Sequence, residues 1–572
     1  MSPFLCLVTI RSQVSANVAR FLPEQARRQP ESIAVRAPQG RRGGRIRYLE
    51  RTFAQLDRES DAAVALLARH GISRGTRVLL MVRPGMDLIR LCFALFKAGA
   101  VPVVIDPGMG LRVFRTCVAR TRPEALIGLP LAHALAAVFR IDFASVRHKV
   151  MVRPGRFVQA LAPFLQERAE PVCAATVEDE TAAILFTSGS TGAPKGVVYT
   201  HGMFSAQVAA IRDAYGIEPG EVDLPMLPVF ALFNPALGMT TIVPEMNPSR
   251  PATVNPARLV QAIQQNGVTN SFGSPVLWAR IAAYCREQGI RLPSLRRVLM
   301  AGAPVPPRVL RRMTALLPNG EVHTPYGATE ALPVSTLTGR QILTETWEWT
   351  ERGAGTCVGR PVPGIDLAVI PVADGPLKGG AGVEHLPTGA VGELIVRGPA
   401  VTRSYDQLPA ATARAKIPDG QGGVWHRMGD LGYRDTGGRV WFCGRLAEQV
   451  CLADGTRLYT DCCEAPFNRH PAVFRTALLG IGPPDDPVPV LAVEPEPGQL
   501  PRGRAGREAL ARDILKQVDG LPQASTIRSV VFEKRFPVDV RHNAKIHRLA
   551  LARKWQHFAP AARQGKLTPD TR

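Results

Sequence analysis

The sequence predicts an α/β protein built as a large N-terminal layered domain followed by a smaller α/β domain. Three observations carry this reading. At 572 residues the chain exceeds one ordinary domain and has material for a large core. From Asn17 to about residue 440, helical and strand-like patterns alternate. Past Gly438 the texture changes to short strands set among helical runs.

Taken in order, Leu56 to His70 has helical periodicity and ends at Gly71, and Val78 to Val82 reads as a short buried strand. Asp87 to Ala98 is helical and Val101 to Ile105 is again a strand. The apolar run Ala182 to Phe186 and the run Val197 to Tyr199 are strands joined by a loop. Val298 to Met300 is a strand opening on the small-residue turn Ala301 to Pro304. In the second domain, Val440 to Cys443, Ala477 to Ile481 and Val488 to Val493 read as strands, and Arg507 to Val518 and Ile546 to Trp555 as helices. Pro- and Gly-rich composition makes exposed loops of Pro371 to Gly389 and Pro495 to Gly506.

No apolar stretch reaches the roughly 18 residues of a membrane span. The N-terminal piece Phe4 to Ile10 has no preceding basic residue and no small-residue cleavage site, which argues against a signal peptide. Ten cysteines without Cys-x-x-Cys pairing point to neither a zinc site nor a disulfide framework, and a reducing cytoplasm is the simplest compartment. The net charge of +22 raises a nucleic-acid reading. Arginine supplies most of it, spread along the whole chain without a long basic block, so no nucleic-acid partner is expected. Attraction to an anionic membrane surface or an acidic partner is the alternative use of that charge.

The run Thr187-Ser188-Gly189-Ser190-Thr191-Gly192-Ala193-Pro194-Lys195-Gly196 carries the chemistry. Its glycines let the backbone approach a phosphate and turn N–H groups inward, its hydroxyls add donors, and Lys195 adds a charge. It is not a Walker A loop, because Lys195 follows a proline and the next residues return as a strand rather than opening a helix. Further polar clusters stand at strand ends. Tyr326-Gly327-Ala328-Thr329-Glu330 offers an aromatic face, a hydroxyl and a carboxylate suited to Mg²⁺ beside phosphates. Asp430 can accept both hydroxyls of a ribose, and Arg445 can donate to ribose or phosphate.

In order and wording, Thr187 to Gly196, Tyr326 to Glu330, Gly429-Asp430, Gly444-Arg445 and Lys545 resemble the successive core motifs of the adenylate-forming superfamily. The resemblance runs from about Val18 to Trp555. It implies a large N-terminal AMP-binding domain (16–444) and a small mobile C-terminal domain (445–560), with the active site at their interface. Residues 1–15 are left as a disordered extension and 561–572 as a frayed tail. It further implies ATP and Mg²⁺, with Thr187, Ser188, Gly189, Ser190, Thr191, Gly192 and Lys195 on the β- and γ-phosphates and Glu330 on the metal. Thr329 would contact the α-phosphate, and Gly302, Ala303 and Tyr326 would border adenine. Asp430 and Arg445 would bind ribose, and Lys545, in the segment Pro537 to Lys545, would serve adenylation.

The chain departs from acyl-CoA ligases at the hinge. There the family usually reads Gly-Arg-x-Asp or Gly-Arg-x-Lys, where this chain has Gly444-Arg445-Leu446-Ala447, and Thr460-Asp461-Cys462-Cys463-Glu464 replaces Pro-x-Glu-x-Glu. The passages Leu227 to Gly238, Pro244 to Ala252, Ala301 to Pro307 and Phe536 to Ile546 closely resemble the β-lactone synthetases of bacterial long-chain olefin biosynthesis. That resemblance implies ATP-dependent conversion of a long-chain 2-alkyl-3-hydroxyalkanoic acid to a β-lactone, AMP and pyrophosphate. A long-chain fatty acyl-CoA synthetase is the alternative. His201, Phe230, Phe233, Leu237 and Phe272 are candidates to border the substrate, and His201 and His426 are candidate bases for the 3-hydroxyl. A β-lactone decarboxylase and a 2-alkyl-3-oxoalkanoate reductase are the implied pathway partners.

Overall fold

A computed structural model describes residues 15–153, 156–166, 171–187, 194–247, 251–377, 379, 383–539 and 545–569. Two mostly parallel sheets form the body of the large domain. One runs, in spatial order, His148–Met151, Ala125–Gly128, Arg77–Met81, Val101–Val104, Thr181–Thr187 and Lys195–Thr200, with only the last pair antiparallel. The other has seven strands, among them Val222–Asp223, Asn270–Gly273 and Arg297–Met300, and ends in the antiparallel hairpin Ile33–Arg42/Arg45–Thr52. Arg41, Arg42 and Arg45 stand at the tip of this hairpin.

The helix Phe53–Arg69 starts on a capping box, Thr52 with Gln55, which satisfies two of the donors a helix N-terminus leaves open. It packs on Met86–Lys97, whose fully buried Arg90 and Lys97 are the charged exceptions in an apolar core. Arg90 Nη2 donates to Glu59 at 2.6 Å, and Lys97 Nζ donates to Asp57 and Asp61, both at 2.6 Å. Each cation is thereby paired, the condition for tolerating burial.

The layered reading of the N-terminal domain omitted a third element. An eight-stranded antiparallel sheet closes this domain, ordered Tyr326–Ala328, Ala331–Thr336, Thr356–Pro361, Val440–Arg445, Val424–Arg434, Gly392–Arg397 and Asp366–Ile370, with Lys416–Pro418 paired to Val424–Arg434. The strand at Val440, assigned from sequence to the second domain, belongs here through its antiparallel pairing with Val424–Arg434.

The small domain is a three-stranded sheet (Val473–Ile481, Val488–Pro495, Ser529–Phe532) with the helices Thr460–Phe467, Gly503–Lys516 and Arg548–Trp555. The stretch 495–506, expected as loop throughout, already turns helical at Gly503. The expected frayed tail is also corrected. Helix Ala559–Arg563 packs on the small domain, the Leu567 carbonyl accepts from Val530 N at 2.7 Å, and Thr568 is buried. No helix among the described residues is long and apolar enough to cross a membrane.

Candidate active site

The phosphate-loop candidates sit on a hairpin. Thr181–Thr187 and Lys195–Thr200 pair antiparallel with Thr187 opposite Lys195, so the sequence between them is a strand-to-strand connection, as its composition implied. Ser188, Gly189, Ser190, Thr191 and Gly192 lie outside the described residues. The Lys195 ammonium lies 4.7 Å from the centre of the Tyr405 ring. Backbone bonds tie the two segments together, with Asp406 N donating to Gly196 O at 2.7 Å and Val198 N to Ser404 O at 3.2 Å.

Tyr405 joins this strand to the second motif, because its hydroxyl donates to Glu330 Oε1 at 2.8 Å. The Glu330 carbonyl accepts from Thr402 N at 2.9 Å and from Thr402 Oγ1 at 3.1 Å, so the residue is held by backbone and side chain together. Tyr199 donates its hydroxyl to the Thr329 carbonyl. Buried Lys416 completes the group, donating to Thr402 Oγ1 at 3.2 Å. Burial pulls its amine down to about 7; the Glu330 carboxylate opposes this and Lys195 adds to it. Tyr405, Thr402 and Lys416 were not singled out from sequence. The alanine-rich segment around Lys416 also holds Thr412 and Arg414, so nothing in it marks this lysine locally.

The third and fourth motifs form one unit. Asp430 and Arg445 are register partners on adjacent strands, with Arg445 Nη1 2.8 Å from Asp430 Oδ1, while Tyr326 donates its hydroxyl to Asp430 Oδ2 at 2.6 Å. Arg445 meets Oδ1 as a close ion pair rather than in good hydrogen-bond alignment. Burial lifts the Asp430 carboxyl above the ordinary carboxylate range; Arg445, the Tyr326 hydroxyl and Lys545 counter it. The charge of Lys545 thus reaches Asp430 from the small domain. The glycines that shape the surface are forced. Gly302 has φ +99°, and at Gly327 (φ +158°) a Cβ would lie 2.5 Å from the Ala331 carbonyl. Ala303 follows Gly302, half-buried.

Lys545 stands at the return of a turn: Asp539 N donates to the Lys545 carbonyl and His547 N to the Pro537 carbonyl, both at 2.9 Å. Three residues on, Arg548 is anchored by two carboxylates. Its Nε and Nη2 donate to Glu464 at 2.7 and 2.6 Å, and its Nη1 donates to Glu448 at 2.9 Å. Glu448 adjoins Ala447 in the connection between domains. Beside this group, Asp461 accepts from Thr356 Oγ1 of the large domain at 3.1 Å. Burial and the neighbouring Glu464 push the Asp461 carboxyl up to about 7; Arg548 and the Thr356 bond oppose the rise, and Glu448 adds to it.

A narrow apolar cavity of about 40 Å³ lies in the large domain between strands 101–104 and 181–187 and helix His201–Tyr215. Cys92, Phe93, Phe96, Phe204, Phe233 and Ala236 are among its walls. Of the predicted substrate residues, Phe233 lines it. Phe230, Leu237 and Phe272 form the adjoining cluster, Phe230 stacked on Phe272 at 3.7 Å. An aromatic path connects the cavity to the second motif: Phe204 stacks on Tyr199 at 4.7 Å and Tyr199 binds Thr329.

His201 is buried behind the cavity wall: its Nδ1 accepts at 3.2 Å from the N–H of Val18, which lines the cavity. Burial pulls its pKa down to about 4. His426 is buried with Nδ1 against the Ala415 carbonyl at 3.2 Å; burial and the nearby Lys416 hold it well below the usual imidazole range. Neither ring is poised as a base near neutral pH.

The chain matches the AMP-binding enzyme family over residues 22–406. It is 45% identical over 554 residues to an olefin β-lactone synthetase of Xanthomonas campestris pv. campestris, covering 95% of this chain and 98% of that one. An olefin β-lactone synthetase of Stenotrophomonas maltophilia is 46% identical, with 94% and 97% covered. Among solved structures, the amide bond synthetase McbA of Marinactinospora thermotolerans shares the fold, with a TM-score of 0.74, 24% identity, and 94% and 99% covered. A site assembled from the motifs of both domains, on a chain matched along its length, places the protein in a family: it belongs to the AMP-binding, adenylate-forming enzymes.

Proposed function

We propose that the chain activates a long-chain 2-alkyl-3-hydroxyalkanoic acid as its adenylate and closes it to a β-lactone, releasing AMP and pyrophosphate. The observation that carries the reading is the convergence of Lys545 on the Asp430–Arg445–Tyr326 unit across the domain junction. The buried Asp430 carboxylate, held by the Tyr326 hydroxyl and paired with Arg445, has acceptor capacity left that fits the hydroxyl donors of a ribose. Glu330 fits a magnesium ion, which takes one or two carboxylates and otherwise prefers substrate phosphates. When bound there, the ion would neutralise charge on the phosphate oxygens.

The residues divide the work. Lys195 presents positive charge on the Glu330 side, where the triphosphate would lie, and Lys416, its amine pulled down to about 7 by burial, would gain its proton as phosphate charge arrives. Asp430 and Arg445 fix the nucleoside, so that the α-phosphorus faces the substrate carboxylate. Attack forms the carboxyl oxygen–phosphorus bond and breaks the bond to pyrophosphate, and Lys545 stabilises the growing charge on the bridging oxygen. In closure the substrate's 3-hydroxyl oxygen bonds to the carbonyl carbon, and the acyl–oxygen bond to AMP breaks with its electron pair. The hydroxyl proton passes to solvent. Holding nucleophile and carbonyl in one molecule supplies the proximity that a separate acceptor site would otherwise have to provide. The cavity beside Phe233, at about 40 Å³, holds only a methylene or two as it stands, so an alkyl chain would enter there by moving its walls apart.

The test supplies ATP, Mg²⁺ and such an acid, with and without CoA, and identifies products by mass spectrometry. Lactone and AMP independent of CoA are expected. A thioester formed only with CoA would replace this reading with that of an acyl-CoA synthetase. Consumption of the lactone by a decarboxylase and supply of the hydroxy acid by a 2-alkyl-3-oxoalkanoate reductase follow as the neighbouring reactions.

A further inference from the structure

Helix Pro130–Val138 is amphipathic in the wrong sense. Its inward face buries the small side chains Ala132 and Ala136 against the six-stranded sheet, with Leu135 and the following Phe139 half-buried beside them. Its large side chains point to solvent: Leu131 is 79% exposed, Val138 73%, and Ile141 just beyond the helix 90%. Leu131 and Val138 share one exposed face of the helix, and Ile141 stands exposed in the turn that directly follows it, so the three lie close in sequence rather than scattered along the chain. The helix is pinned to the edge strand His148–Met151, where His133 Nε2 lies 3.1 Å from the Val150 carbonyl. Met151 on that edge is also exposed.

The surroundings are basic. Between 107 and 156 the sequence holds nine Arg and Lys residues against two acidic ones, Glu124 and Asp142. Asp142 is spent on Arg115 at 2.5 Å, whereas Arg140, Arg147, Lys149, Arg153 and Arg156 are exposed. Large apolar side chains standing out of a cationic surface are the composition of an interfacial membrane contact, in which the apolar groups enter the headgroup region and the basic ones meet lipid phosphates.

We propose that the stripe Leu131–Val138–Ile141, with Arg140, Arg147 and Lys149 beside it, seats the protein on the surface of an anionic lipid bilayer. A nucleic acid would use the charge and leave the apolar stripe wet, and a neutral apolar partner would leave the charge unanswered. Both halves of the patch are matched by an anionic membrane. The stripe lies on the outer side of the sheet, away from the nucleotide residues, so it can be altered without touching the site.

The experiment is vesicle flotation of the full-length protein with phosphatidylcholine alone and with phosphatidylcholine containing phosphatidylglycerol. Binding to the anionic vesicles is expected, falling roughly tenfold or more when Leu131, Val138 and Ile141 are all changed to serine. A comparable fall is expected from Arg140→Gln, Arg147→Gln and Lys149→Gln together, or from high salt. All six positions are surface ones, so thermal denaturation and AMP formation from a soluble short-chain acid should match the parent. No binding to anionic vesicles, or binding undiminished by the serine changes, would overturn the proposal. So would a parent dimer that dissociates on the serine changes, which would assign the stripe to a second copy.

Discussion

Replacing Arg548 by methionine should separate holding Lys545 in place from simply folding the small domain. Arg548 makes three charge-assisted bonds of 2.6–2.9 Å to Glu464 and Glu448, both buried. Removing the guanidinium leaves two buried carboxylates unpaired, which costs about 3–5 kcal/mol when one partner of such a group is removed. Neutralising both carboxylates as well, with Glu464→Gln and Glu448→Gln, removes the stranded charges and should return most of that stability. In this triple variant Lys545 has lost the anchor three residues downstream. Acid-dependent exchange of pyrophosphate into ATP should therefore fall roughly 10- to 100-fold, about 1.4–2.7 kcal/mol of barrier. The KM for ATP should move little, because Asp430 and Arg445 are untouched. The decisive measurement is the same triple change in a Lys545→Ala background. If Arg548 acts through Lys545, exchange should fall no further there. A loss that simply adds to that of Lys545→Ala would refute the reasoning.

Three further outcomes follow. Asp461 has its carboxyl raised to about 7 in the fold against about 4 in an unfolded chain. The folded state therefore binds this proton more tightly, and stability is lost as pH rises from about 4 through 7, by up to about 4 kcal/mol. Asp461→Asn should raise the melting temperature at pH 8 and leave it nearly unchanged at pH 4; an equal effect at both would remove the charge argument. Ala236→Phe, intruding on the cavity, should lower kcat/KM for long acids relative to short ones by roughly fourfold per excluded methylene, at about 0.8 kcal/mol each. Unchanged chain-length preference would detach the cavity from substrate binding. Glu330→Gln keeps an acceptor for the Tyr405 hydroxyl and should raise the Mg²⁺ needed for half-maximal exchange roughly tenfold, as expected when a charged ligand becomes neutral.

Much of the fold was legible because parallel strands buried on both faces announce themselves as short apolar runs, as at Val101–Val104 and Thr181–Thr187. The antiparallel sheet from Tyr326 to Arg445 did so only at the apolar run of Val440–Arg445. Its strands are interrupted by residues placed for contact rather than pattern. Gly359, at φ +89°, lies where any Cβ would collide with the Thr336 carbonyl, and Val424–Arg434 carries Gly429 at φ +64° within a strand. Glycines of this kind read locally as turns, and only the neighbouring strand reveals why they are there. The tail failed for a related reason. Little in 561–569 looks apolar, and its order comes from distant partners such as Val530.

The site divides along the same line. Lys195, Tyr326, Thr329, Glu330, Asp430, Arg445 and Lys545 were visible because each sits in a short local pattern. Tyr405, Lys416 and Arg548 act through partners 14 to 100 residues away, such as Thr402, Glu330 and Glu448, and no local pattern encodes a distance of that kind. His201 is the reverse case: a polar residue beside a phosphate-loop strand attracts a chemical role, and in the fold its Nδ1 is engaged by Val18 N. What distinguishes the two cases is the use of the polar group. The His201 nitrogen facing Val18 is already satisfied, whereas the buried Asp430 carboxylate keeps acceptor capacity beyond its bond from Tyr326 and its ion pair with Arg445, and that spare capacity is what a ligand's hydroxyls would use.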